Sequence, residues 1–226
     1  KIAHALRPDL TLVSCRNIQV LSGIRLKNFD ASGDTLTLRA RLVDATEIEF
    51  EILSATSTRH YSAKGTLASV LPKQHEAPPT PLDLAPWAKD IYDGQVLFHG
   101  ADFQVIHEIA GISDAGLVAE VGGLQSRAWQ GSWRVDPALL DGGLQLALLW
   151  TLPQLGGPGL PTSIEKVEFM AAGPIAKSVR CILQGRTTSK DRSLSDVTCI
   201  APDGAVIAHM RGIEVHLLPE HSRHLA

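Results

Sequence analysis

The sequence is poor in cysteine, has no long apolar run and shows no excess of basic charge, and each shortage excludes a class of protein. Its three cysteines, Cys15, Cys181 and Cys199, lie far apart with no C-x-x-C spacing, which favours a reducing, cytoplasmic compartment over a disulfide-rich secreted fold. Lysine and arginine number 21 against 24 acidic residues, so we expect no basic surface for nucleic acid. The longest apolar stretches are of the size of 146–150, far short of the roughly 20 residues that cross a bilayer.

What the sequence does contain is enough apolar material for a folded core. Of its 226 residues, 44% are hydrophobic and 20% are charged, which suffices for one large domain or two small ones. Residues 1–8 contain neither a methionine start nor a signal-peptide pattern. We therefore expect a domain cut from a longer polypeptide.

Strand patterns lie on both sides of one proline-rich segment. Alternating apolar and polar residues predict strands between residues 10 and 71, most clearly at 35–42 and 47–53. Residues 72–86 contain five prolines and no periodicity, so we interpret 72–95 as an extended linker. It separates a first unit, 1–71, from a second unit, 96–219, with a tail at 220–226. Further strands are predicted near 103–109, 116–121, 164–169, 178–185, 195–200 and 205–217.

The clearest helix begins at Pro137. Asp136 is a favoured N-cap residue and Pro137 a favoured first helical residue, and the apolar sequence continues to about Leu152. This segment has almost no polar face. It therefore predicts a helix that is buried on all sides and wrapped by a sheet.

The two ends of the chain resemble each other at an offset of roughly 145 residues. The matching segments are 18–20 with 164–167, 35–42 with 178–183, and 61–70 with 206–215. This predicts a duplicated unit in which Lys1 falls just after the equivalent of Gln145. The first copy would then lack about fifty residues that match 96–145. The alternative is that two unrelated antiparallel sheets look alike.

Three motifs in the second half point to one family. Residues 97–104 read LFHGADFQ, residues 136–145 read DPALLDGGLQ, and Leu160-Pro161 follows. In order and spacing they resemble the second hotdog of polyketide synthase dehydratase domains, which have an HG- or GP-containing strand, a D-P-x-x-x-D-x-x-x-[QH] helix and an L-P strand. The amino-acid sequence of these motifs is most similar to that of dehydratases of bacterial polyunsaturated-fatty-acid synthases. The resemblance implies an α+β double-hotdog fold, two tandem units of a long buried helix wrapped by a curved antiparallel sheet, with the first unit incomplete.

The resemblance also implies an activity. Such domains remove water from a 3-hydroxyacyl thioester on the phosphopantetheine of an acyl carrier protein and need no metal or nucleotide. Asp141 would donate a proton to the leaving hydroxyl, Gln145 would orient it, and a histidine of the first hotdog would remove the α-proton. That histidine belongs to an H-x-x-x-G-x-x-x-x-P motif, and the nearest match, at His107, has Gly116 where proline is required. We therefore expect this fragment alone to be inactive.

The residues themselves agree with these roles but leave alternatives open. Asp141 and Gln145, four apart, share one helix face, and Gly142-Gly143 leaves room for a thin acyl-pantetheine chain or a neighbouring helix. Without the resemblance, Asp141 could simply cap or pair within the helix. His99 stands where many relatives have the tyrosine of a Y-G-P motif, so it could bind substrate or be structural. The substrate contacts that the resemblance implies are His99, Gly100, Phe103, Gly142, Leu160 and Pro161.

The resemblance implies that the partners are an acyl carrier protein and the neighbouring synthase domains. It leaves open whether the protein forms a homodimer. Two other classes of function compete with the enzyme. One is a non-catalytic pseudo-dehydratase that binds acyl chains or carrier protein, or organises the synthase. The other is a hotdog thioesterase, although those are generally single units. His216, His221 and His224 have no fixed helix spacing and no cysteine partner, so we expect no metal site.

Overall fold

The computed structural model describes residues 2–28, 31–94, 96–126, 129, 131, 133–175 and 178–219. Over these residues the chain forms two α-helices, two short 3-10 turns and ten strands. The helices are α1 (Ile2–Leu6) and α2 (Pro137–Leu155), and the 3-10 turns are Ala101–Phe103 and Leu124–Ser126. The strands are β1 (Thr11–Val20), β2 (Leu36–Leu42), β3 (Glu47–Ser54), β4 (Arg59–Ala68), β5 (Ile106–Ser113), β6 (Gly116–Val121), β7 (Gly159–Phe169), β8 (Val179–Thr188), β9 (Arg192–Ile200) and β10 (Val206–Leu217).

The strands form one antiparallel sheet in the order β2-β3-β4-β1-β7-β10-β9-β8-β6-β5. Strands β1 and β7 meet at its middle, in register from Ser14 opposite Glu168 to Gln19 opposite Ser163. Outward from this junction the order is β1-β4-β3-β2 on one side and β7-β10-β9-β8 on the other. The second side continues with β6 and β5, and the first four strands of each side follow the same order, which agrees with the segments that the sequence offset paired. We call β1–β4 with α1 the first unit and β5–β10 with α2 the second unit.

Helix α2 is the core of the second unit, as its sequence predicted. The Asp136 side chain accepts a hydrogen bond from the Leu139 amide, Pro137 opens the helix, and Gly156 ends it in the left-handed conformation at φ 69°. The helix continues past Pro153 to Leu155, a little beyond the predicted end. It contacts β6, β7, β8, β9 and β10, so the sheet wraps it.

The first unit has an apolar face that is only partly covered. At one end Ala3 of α1 packs with the buried side chains of Ile48 and Leu67. At the other end Leu38 is 50% exposed. The open part of this face forms a depression lined chiefly by apolar side chains, among them Cys15, Ile18, Leu38, Phe50, Ile52 and Tyr61.

The segment predicted as an extended linker lies against the second unit. Between β4 and the 3-10 turn at Ala101 the described residues include no helix and no strand, but Ala85 pairs with Ile112 of β5 through two backbone hydrogen bonds of 2.9 Å. The strand predicted at 103–109 begins instead at Ile106, because the chain first makes the turn at Ala101–Phe103. No helix in the described part of the chain is long and apolar enough to cross a membrane. The predicted tail, 220–226, lies outside the described residues.

Candidate active site

Asp141 is the partly exposed acidic group of a helix that is otherwise largely buried. It lies in the second turn of α2, and 31% of its side chain is exposed. Its Oδ2 accepts a hydrogen bond of 2.7 Å from Nε2 of Gln145. Gln145, one turn further along, is 1% exposed. The pairing follows from the four-residue spacing, which places both side chains on one face.

Two further hydrogen bonds hold the Gln145 amide, and a third holds the tyrosine that makes one of them. Nε2 also donates to the backbone oxygen of Phe103 at 2.8 Å, and Oε1 accepts from the Tyr92 hydroxyl at 2.8 Å. The Tyr92 oxygen in turn accepts from the backbone N–H of Ile106, also at 2.8 Å. Because that oxygen is an acceptor for Ile106, its own proton points to Gln145. The amide therefore presents its nitrogen to Asp141.

His99 lies beside Asp141. Its Nε2 is 3.9 Å from Asp141 Oδ2, and 19% of its side chain is exposed. The ring stacks on Phe98 with centroids 5.6 Å apart, and the His99 backbone oxygen accepts from Gln104 Nε2 at 3.0 Å. Nδ1 is buried and has no hydrogen-bond partner among the described residues. Of the predicted substrate contacts, His99 is therefore the one whose side chain reaches the acid.

The backbone of Gly100 and Phe103 lies close to Gln145. Gly100 immediately precedes the 3-10 turn, and the Phe103 carbonyl anchors Gln145. The Phe103 ring packs edge-on against Trp129 at 4.8 Å and is 41% exposed. The ring is therefore partly exposed at the surface, whereas the backbone oxygen holds Gln145.

The space beside Gly142 is filled by neighbouring side chains. A Cβ atom there would lie 2.5 Å from Cγ1 of Val121 and 3.1 Å from Cγ2 of Val105. Val121 therefore fills the room that the sequence assigned to an acyl chain or a neighbouring helix. The glycine lets α2 approach the sheet, which is a structural reason for its presence.

Leu160 and Pro161 are not brought to Asp141. They pair with His216 and Val215 near the start of β7, beyond the C-terminal end of α2. Asp141 lies near the other end of that helix, about 20 Å away along its axis at 1.5 Å per residue. The structure thus separates this pair from the site, and their contact with substrate stays a prediction.

The other aspartate of the motif has a structural role. Asp136 is 6% exposed, and its Oδ1 accepts from the Leu139 amide at 3.0 Å. Its Oδ2 accepts from the amides of Leu124 and Ile175 at 2.8 and 2.7 Å. The first bond caps α2, and the other two join its start to the 3-10 turn at Leu124 and to Ile175, so Asp136 fixes the place of the helix that carries Asp141.

Of the other histidines that the sequence raised, His107 and His216 lie on strands, His107 on β5 and His216 on β10. His107 is exposed on β5, where its Nδ1 bonds the Ser178 hydroxyl at 2.9 Å. His221 and His224 lie outside the described residues. Within the described ranges, no group of three His, Cys, Asp or Glu side chains is arranged to hold a metal ion.

Tyr92 is the site residue that sequence reasoning missed. It lies in the proline-rich segment, which has no periodicity, and its partners are 14 and 53 residues away. The one available signal was its rarity, because the chain contains two tyrosines.

The sheet around a buried helix, with an acid held by an amide on that helix, defines an α+β protein of the hotdog class, as predicted. Residues 67–224 match the family model described as "Polyketide synthase dehydratase N-terminal domain". The chain therefore belongs to the polyketide synthase dehydratase family.

Solved structures share the fold. The dehydratase domain of RzxB from Pseudomonas fluorescens is 15% identical with a TM-score of 0.74, over 96% of this chain and 81% of that one. The dehydratase domain from the CurF module of curacin polyketide synthase is 17% identical with a TM-score of 0.73, over 96% and 80%. GphF dehydratase 1 is 18% identical with a TM-score of 0.68, over 96% and 81%. A comparison with curated protein sequences found no match.

Proposed function

We propose that this dehydratase removes water from a 3-hydroxyacyl chain, held as a thioester on an acyl carrier protein, to give a 2-enoyl thioester. As a polyketide synthase dehydratase domain, the chain works with a carrier protein and with neighbouring synthase domains. The observation that carries the finer proposal is the Asp141–Gln145 pair, an accessible carboxyl group held at 2.7 Å by a buried amide. Beyond the phosphopantetheine arm of the carrier, the proposed reaction needs no cofactor.

Asp141 is the proton donor in this proposal. Its Oδ2 accepts from Gln145, which leaves Oδ1 for the substrate, since the described residues give that oxygen no hydrogen bond. Asp141 donates its proton to the β-hydroxyl as the C–O bond breaks and water leaves. The electrons of the α C–H bond form the double bond, and a base takes the α-proton. Exchange with water then returns a proton to Asp141 and removes one from the base.

His99 acts on the same side of the substrate as Asp141. Carbon atoms in contact lie about 3.5–4 Å apart, so a chain between two facing groups needs a gap of about 7 Å. The distance of 3.9 Å between His99 and Asp141 is too short for this. We therefore assign His99 to binding the substrate hydroxyl and assign the α-proton to another base.

The base, we infer, is a histidine on a segment that packs over the open apolar face of the first unit. That face is lined by apolar side chains such as Leu38 and Ile52, which favours a covering helix. A CurJ dehydratase with a histidine-to-phenylalanine substitution is described as an inactive mutant, and it shares this fold at 15% identity and a TM-score of 0.74. The H-x-x-x-G-x-x-x-x-P motif would lie on that segment.

The amino-acid sequence of residues 97–104 and 136–150 supports a synthase of the polyunsaturated-fatty-acid type, with an unbranched fatty 3-hydroxyacyl substrate. We propose this subtype, with the predicted contacts His99, Gly100 and Phe103 lining the approach to Asp141. We also propose that the parent synthase forms a homodimer. Its molecular mass in solution would test this.

The test compares Asp141→Asn with the parent polypeptide. Asparagine keeps the size of the side chain and an oxygen that can accept from Gln145, but it cannot donate the acid proton. Asp114→Asn is the matched control, because Asp114 is exposed and bonds Gln154 at 3.1 Å on the surface. Conversion of a 3-hydroxyacyl thioester to the enoyl thioester is followed by mass spectrometry.

We expect enoyl product from the parent and from Asp114→Asn, and a loss of at least about a hundredfold in kcat for Asp141→Asn. Full activity of Asp141→Asn would refute the assignment of the acid. A parent chain that lacks the histidine motif and forms no enoyl product would be a pseudo-dehydratase that binds acyl chains or carrier protein. Release of free 3-hydroxy acid would identify a thioesterase.

A further inference from the structure

Tyr92 connects three separate parts of the site. It lies in the segment between β4 and β5, its oxygen accepts from the Ile106 amide at the start of β5, and its proton goes to Gln145 on α2. Both hydrogen bonds are 2.8 Å long. The hydroxyl thus joins a segment without regular structure to the helix that carries the acid.

The Tyr92 hydroxyl satisfies a buried acceptor. Gln145 is 1% exposed, so its side chain is shielded from water, and its Oε1 accepts a hydrogen bond from the Tyr92 hydroxyl. A buried carbonyl oxygen without a donor is costly, so without the Tyr92 hydroxyl this orientation of the amide loses its advantage and the amide can rotate. Such a rotation would take Nε2 away from both Asp141 and the Phe103 oxygen. The orientation of Asp141 therefore depends on the Tyr92 hydroxyl through Gln145.

We propose that Tyr92 is a positioning residue for dehydration, which acts on Asp141 through Gln145. This inference rests on the proposed function, in which Asp141 is the proton donor. In the hydrogen bonds described above, Gln145 is the link between Tyr92 and Asp141. Removing the hydroxyl should consequently lower kcat and leave KM unchanged.

The experiment measures kcat and KM for Tyr92→Phe in the parent synthase polypeptide, with a 3-hydroxyacyl thioester as substrate. We expect kcat to fall about tenfold at constant KM, the scale of one hydrogen bond. In a Gln145→Leu background the amide is gone, so Tyr92→Phe should cause no further loss of kcat. If Tyr92 acted only by packing, Tyr92→Phe would lower kcat by the same factor in the Gln145→Leu background as in the wild type.

Thr151→Val is the matched control. Thr151 lies on the same helix, is fully buried, and its hydroxyl bonds the Ser193 hydroxyl at 2.6 Å. Both variants lose one hydroxyl that is hydrogen-bonded inside the protein, so both should lower the unfolding temperature. Only Tyr92→Phe should lower kcat.

Three outcomes contradict the inference. It is wrong if Tyr92→Phe keeps wild-type kcat, or if its loss is undiminished in the Gln145→Leu background. In both of these cases an active wild-type domain leaves the proposed function intact. A wild-type domain that forms no enoyl product overturns the proposed function, and this inference with it.

Discussion

Alanine at position 142 tests whether the glycine beside the acid serves packing or ligand space. The new Cβ would lie 2.5 Å from Val121 Cγ1, well inside van der Waals contact. Valine is stiff about χ1, and its strand β6 is held between β5 and β8. Neither the side chain nor the backbone can therefore yield cheaply. The adjacent Gly143 offers the comparison, because its Cβ would meet the terminal methyl of Met210 at 1.9 Å.

Two opposing terms set the size of the effect. Replacing glycine by alanine inside a helix stabilises by about 1 kcal/mol. Overpacking a core costs about 1–3 kcal/mol, and the overlap with a stiff Val121 belongs in the upper part of that range. We expect Gly142→Ala to lose about 1–2 kcal/mol of unfolding free energy, or about 2–8 °C in Tm for a chain of this size. Gly143→Ala should lose less despite the shorter contact, because a methionine side chain can swing away.

The assay is thermal and urea unfolding of the two variants and the parent, followed by circular dichroism. A lower Tm for Gly142→Ala than for Gly143→Ala supports packing by Val121. If Gly142→Ala is as stable as the parent, the reasoning is wrong. A raised KM for substrate would then return Gly142 to the role the sequence gave it, that of making room for an acyl chain.

Two further predictions concern stability and reactivity. Asp136→Ala removes the acceptor of three backbone amides inside the protein and should cost about 2–4 kcal/mol in urea unfolding; a loss below about 1 kcal/mol would show that the cap is dispensable. Burial raises the pKa of the Cys15 thiol to about 11, so the reactive thiolate is scarce below that pH. Alkylation of Cys15 by iodoacetamide at pH 8 should be about a hundredfold slower than that of a free thiol and should increase as the pH rises towards 11. Rapid labelling of Cys15 at pH 8 would contradict this.

The sequence predicted the helix and most strands because their signals are local. Asp136 and Pro137 define the start of α2 within two residues, and alternation marks each strand along its own length. The start of β5 was misplaced, because the turn at Ala101–Phe103 depends on contacts that no periodicity reveals. The proline-rich segment before this turn has no helical or strand pattern, so the sequence could not predict its path either.

The site divides in the same way. Asp141 and Gln145 were predictable as a pair, because four-residue spacing on a helix brings side chains together. Which side chain fills the space above Gly142 depends on strand β6, more than twenty residues earlier, and helix periodicity carries no information about it. Tyr92 was invisible for the same reason, since its hydroxyl bonds Gln145, 53 residues along the chain.

The pairing of β1 with β7 has a mechanical consequence. A ladder of backbone hydrogen bonds joins the two units from Ser14 opposite Glu168 to Gln19 opposite Ser163. Rotation of one unit against the other would break this ladder, so the proline-rich segment cannot serve as a hinge between them. The domain therefore resists bending as a single body. In the proposed reaction, the movement that brings an acyl chain to Asp141 is therefore assigned to the carrier protein and its flexible arm.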